Sequence, residues 1–139
     1  QIGALMSSYG TQIDALQQDM ARALADAAIA LARQVVRSEL ASQPEHVAAV
    51  AREALEALML SARHVTVRVH PDDQPLVGQG AAELLTARGA RLLADPAVSR
   101  GGCLVESDIG IVDASIESRW RRAAAALGSE APFSRGETP

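Results

Sequence analysis

GGCLVESDIGIVDASIESRW, residues 101–120, carries the chain's only cysteine and its only tryptophan, with Glu106, Asp108, Asp113 and Glu117 between them. It reads either as a catalytic cluster or as a β-hairpin running into a helix. The patterning favours the hairpin. CLVES and GIVDA are apolar runs of strand length, and DIG between them is a tight turn. Asp113 or Ser115 then stands where a helix needs an N-cap, ahead of Ile116, Trp120, Ala123 and Leu127 at helical spacing. Acids that flank a turn and cap a helix are ordinary hairpin chemistry. Asp113 is the acid with the clearest structural part.

Working back from the hairpin, SRGG is a turn signal, so Gly101 and Gly102 count as structural. ARLLADP is a strand that Pro96 stops. HVTVRVH alternates: Val65, Val67 and Val69 face one way, His64, Thr66, Arg68 and His70 the other. That is a strand with one solvated face. HPDD follows it. Pro71 suits the first position of a helix, and Asp72 and Asp73 lie where the helix dipole favours negative charge. That helix should end near Arg88 and Gly89. Further back, Ser42 or Gln43 caps a helix running from residue 44 to about 60, with Pro44 at its first position and Glu45 in its first turn.

Residues 1 to about 42 contain no proline. Their apolar positions are Ile2, Leu5, Tyr9, Ile13, Leu16, Met20, Leu24, Ala27, Leu31 and Val35, in steps of 3, 4 and 4. This eleven-residue period favours a straight or slightly right-handed bundle. A strict heptad would place Gln12, Asp19, Asp26 and Arg33 on the seam. An amphipathic helix packed on its own core has nearly the same period. Length separates the two. Forty helical residues extend about 60 Å, whereas a body of about 100 residues has a radius of gyration near 13 Å. The outer stripe of such a rod needs a second helix. Dimerisation is therefore expected through Ile13, Leu16, Met20, Leu24, Leu31 and Val35.

Other functions find little support. Net charge is -4, and no arginine block marks a nucleic-acid footprint. One cysteine excludes an internal disulfide framework. No run is apolar for long enough to span a bilayer, and no signal peptide is recognisable. Gln1 in place of Met suggests a fragment. His64 and His70 lie about 20 Å apart along a strand, so one ion cannot bridge them. Cys103 opens an apolar strand and reads as core. No lysine is present, so Schiff-base chemistry and a Walker lysine are both ruled out. Glu106, Asp108 and Asp113 have no evident pocket to serve. No catalytic, cofactor-binding or metal residue is assigned. The rival reading is a small enzyme using Cys103 or this acidic hairpin; a third is an adaptor for another helical partner.

VTVRVHPDD, LLADP and RGGCLVESDIGIVDASIESRWRR, in that order and spacing, resemble the C-terminal region of the FliH family. Related to it are the HrpE/YscL stators of type III secretion and, more distantly, the peripheral-stalk proteins of rotary ATPases. The likeness spans residues 65 to about 127, with the long helix in the expected place ahead of it. It implies a non-enzymatic, cytoplasmic stator without cofactors, peripheral to the export apparatus at the inner membrane. It also implies a homodimer that binds and restrains a FliI-like export ATPase. The family's N-terminal segment, which docks to export gate and rotor components, is missing here. ESRWRRAAAALG looks flagellar; the equivalent virulence stator is the alternative. Arg119, Trp120 and Arg122 are the candidate ATPase-binding residues. The expected architecture is α+β: a helical dimerisation stalk (1–42), a body with a short, mostly antiparallel sheet and packed helices (43–128), and a mobile tail (129–139).

Overall fold

The computed structural model describes residues 2–133. Helix α1, Ile2–Ser42, runs unbroken for 41 residues. Its Ala, Leu, Gln and Arg are strong helix formers. It stops where Pro44 disfavours helical geometry at Gln43. The chain crosses residues 43–45 in a turn closed by His46 N–H to the Gln43 carbonyl and Val47 N–H to the Pro44 carbonyl. Helix α2, His46–Ala57, then begins behind Glu45 with no side-chain cap. It starts later than the sequence suggested because Ser42 still belongs to α1.

The body continues with β1 (Thr66–Val69), α3 (Gln74–Gly80), α4 (Ala82–Ala87), β2 (Arg91–Ala94), β3 (Cys103–Ser107), β4 (Gly110–Ala114) and α5 (Ile116–Ala125). The strands form one sheet in the order β2-β1-β3-β4. β1 and β2 are parallel across the α3–α4 crossover; β1–β3 and β3–β4 are antiparallel. The architecture is α+β, a long helix followed by a small sheet-and-helix body, as the alternation and periodicity required.

Val67 lies between Leu92 and Val105, and Val105 is opposite Val112. With Val65, Val69 and Cys103 this row forms the inner face of the sheet. Val47, Ala51, Ala54 and Leu55 of α2, with Val77 of α3 and Leu85 of α4, cover it. Small aliphatic side chains thus fill a core almost without aromatics. On the outer face, Arg68 of β1 pairs with Glu106 at 3.1 Å and Asp95 at 3.6 Å.

The crossover departs from the single helix expected after Pro71. Pro71 and Asp72 lie in a turn in which Asp73 N–H bonds the His70 carbonyl, so α3 begins at Gln74. Ala81, at φ −121°, separates α3 from α4. A Cβ on Gly80 would overlap that of Ala48 in α2, and the Gly80 carbonyl accepts from Arg52 at 2.6 Å. Close approach to α2 therefore coincides with the interruption.

Apart from this core lies a second apolar cluster: Ile29 of α1, Trp120 and Ala124 of α5, and around them Ala32, Val36, Ala131 and Phe133. Ala124 is buried where the sequence had suggested Ala123 and Leu127, because α5 ends at Ala125 and its inner face follows residues 116, 120 and 124. Residues 129–133 begin the segment expected to be a mobile tail, and Ala131 and Phe133 pack in this cluster. The rest of that expectation, residues 134–139, lies outside the described residues.

Candidate functional site

The hairpin chemistry can be assessed side chain by side chain. Cys103 is fully buried, and that burial pushes its thiol up to about 11. A thiol held neutral among aliphatic neighbours is a poor nucleophile. Glu106 is paired with Arg68. Asp108 accepts from Arg63 N–H at 2.7 Å and donates its own N–H to the Arg63 carbonyl at 3.0 Å, fastening the hairpin turn to the start of the β1 segment. Asp113 accepts from Ser118 Oγ at 2.6 Å and from Ser115 N–H at 2.9 Å. These hydrogen bonds, Ser118 first and Ser115 second, hold its carboxyl below the ordinary aspartate value. The helix cap itself is Ser115, whose Oγ accepts from Ser118 N–H. Each carboxylate is thus engaged in holding the fold. Among the described residues, no group of three His, Cys, Asp or Glu side chains is placed to hold a metal ion.

The glycines ahead of the hairpin do what SRGG implied. Gly101 adopts φ +90°, and a Cβ there would overlap Leu40 near the end of α1. A Cβ on Gly102 would meet backbone: Ile116 N at 2.6 Å, Ser115 Cα at 2.8 Å and Ala114 O at 2.9 Å. Strand β3 and the start of α5 cross at contact distance here. Asp72 is exposed and lies 3.8 Å from both His70 and Arg100. Its neighbour Asp73 is the buried acid, 1% exposed, accepting from Arg100 Nε at 2.5 Å and Gly101 N–H at 2.9 Å. The local pattern around Asp73 points to a helix-dipole role. Its partners are more than 25 positions away, and no local pattern announces them.

On α5, Arg119 and Arg122 are exposed, and Arg122 donates to the Asp113 carbonyl at 2.8 Å. Trp120 is buried, 7% exposed. Its indole N–H donates to the Ala131 carbonyl at 2.8 Å, and Phe133 lies against it at 5.5 Å between ring centroids. The three candidates therefore share a helix but divide between surface and interior.

The stalk carries a long exposed apolar stripe. Residues 2–24 are exposed throughout, and Ile29 is the buried residue of α1. Ile13, Leu16, Met20, Leu24, Leu31 and Val35 are 54%, 60%, 64%, 73%, 66% and 58% exposed. At about 100° per residue, they lie on the side of the helix roughly opposite Ile29, Val36 and Leu40, which face the body. The helix is apolar on two sides, and the body covers one of them. Contiguous exposed apolar surface of this kind marks an interaction site. No described helix is long and apolar enough to cross a membrane.

Comparison with known proteins agrees with this anatomy. The family model described as "Flagellar assembly protein FliH" matches residues 1–123. The chain is 33% identical over 117 residues to the flagellar assembly protein FliH of Salmonella typhimurium, covering 84% of this chain and 50% of that protein. It is 33% identical over 117 residues to FliH of Escherichia coli, covering 84% and 51%. A type 3 secretion system stator protein of Yersinia pestis is 35% identical over 74 residues, 50% of this chain and 33% of that protein. The chain thus spans about half the length of the FliH proteins it matches.

Proposed function

The chain belongs to the FliH family of flagellar assembly proteins, and from that premise we propose that it is a stator-like scaffold of the flagellar type III export apparatus. Two copies pair along α1 through Ile13, Leu16, Met20, Leu24, Leu31 and Val35. The body, residues 43–128, binds and restrains an export ATPase of the FliI kind. Arg119 and Arg122 on the exposed side of α5 contact that ATPase, with Trp120 supporting them from beneath. The scaffold has no catalytic role of its own and works in the cytoplasm beside the export machinery. Export gate and rotor components are its further partners, reached through the N-terminal segment that the family resemblance implies.

The observation that carries this reading is the uncovered stripe: Leu16, Met20 and Leu24 are each at least 60% exposed on a helix whose opposite side already meets the body. Aliphatic surface on that scale is stabilised by a second helix. The flagellar system is preferred over a virulence system because the FliH relatives match 84% of the chain and the secretion stator 50%.

Light scattering tests the pairing. The expected mass is about twice that of one chain, falling to one copy in a Leu16→Asp, Leu24→Asp double variant that keeps its helical circular dichroism. A single-copy mass for the unaltered chain overturns the pairing. Retention of a purified export ATPase on immobilised protein tests the partner, with Arg119→Glu expected to weaken it. A turnover abolished by Cys103→Ala or Asp108→Asn in folded protein would instead establish the enzyme reading.

A further inference from the structure

We propose that residues 129–133 form a latch that clamps the stalk to the body, and that undoing it frees α1 to swing about residues 43–45 while the sheet core stays folded. Three successive carbonyls of this segment each accept a side-chain hydrogen bond, one from α5 and two from α1. Trp120 of α5 donates to Ala131, Arg33 of α1 to Pro132 at 2.9 Å, and Arg37 of α1 to Phe133 at 3.2 Å. The same arginines lie over aromatic rings, Arg33 at 5.8 Å from the Trp120 centroid and Arg37 at 5.6 Å from that of Phe133. The segment therefore bridges α1 and α5 along one edge of the contact that Ile29, Ala32 and Val36 make with Trp120 and Ala124.

The geometry separates the latch from the fold. The cluster around Ile29 and Trp120 shares no buried residue with the sheet core. Loss of the segment exposes Trp120 without opening the layer between α2 and the sheet. Recognition through main-chain carbonyls is also tolerant of sequence, with Phe133 supplying the apolar anchor. Single hydrogen bonds contribute little net stability, and two of the three here are exposed, so the segment can release without unfolding the sheet core. Low-stability segments of this type are where conformational change is drawn from.

The test uses the chain ending at Ser129 and, separately, the full chain with Arg33→Ala and Arg37→Ala. Trp120 is the only tryptophan, so its emission reports the site directly. An acceptor dye on Asp26→Cys reads the distance from stalk to body, since Cys103 is buried and does not compete for label. Both variants should show red-shifted emission, stronger acrylamide quenching and reduced, broadened energy transfer. Amides of β1 and β3 should keep their exchange protection within about twofold. Unchanged quenching and transfer in the shortened chain overturn the latch. So does a collapse of β1 and β3 protection in both variants, which would make the segment part of one cooperative core.

Discussion

At the scale of single residues, Asp113 shows how one carboxylate can look catalytic and act as a brace. It holds Ser115 and Ser118 at the start of α5, and its folded-state value is depressed by those bonds. A depressed carboxylate stabilises the fold above its unfolded value, ~3.9, and that contribution disappears as pH falls through the lower folded value. Asp113→Asn should cost about 1 kcal/mol at neutral pH and should flatten the acid limb of a stability-versus-pH curve measured by urea unfolding. Cys103 gives the opposite kind of check. Buried and held neutral, it should resist a thiol reagent at pH 8 and react fully in denaturant. The structural role of the hairpin acids was legible in the sequence because turns and caps are local chemistry. The burial of Asp73 was not, since it depends on Arg100 and Gly101 arriving from across the fold.

At the scale of elements, period carries most of the information. The alternation of Val65, Val67 and Val69 gave away β1, and the hairpin was readable from its two apolar runs and their turn. What period misses is contact between elements. Gly80 lay in an apparently continuous helix, yet it sits against Ala48 of α2. Gly102 is the sharper case, because the atoms facing it are backbone atoms at 2.6 to 2.9 Å. Gly102→Ala should therefore destabilise the body by on the order of 3 kcal/mol, measured as a lowered urea midpoint with unchanged slope. Ala on the exposed Gly3 of α1, where a Cβ meets nothing, should be neutral or slightly stabilising. Trp120 illustrates the same limit: its helical spacing was plain, but its cover comes from Ala131 and Phe133, in a stretch with no periodicity at all.

At the scale of the whole molecule, α1 outruns the body, as its length required. Its contacts with the body fall between Ile29 and Leu40, and residues 2–24 extend beyond them. The Leu16→Asp, Leu24→Asp variant alters only exposed positions, so it should halve the mass while leaving the body's unfolding midpoint close to that of the unaltered chain. A rod rooted at one end is a lever. From the turn at residues 43–45 to its tip, α1 measures about 60 Å, so a tilt of about 10° at that pivot carries the tip about 10 Å. Ile29 lies about 22 Å from that pivot, so a shift of about 1 Å beside Trp120 would reach the far end as about 3 Å.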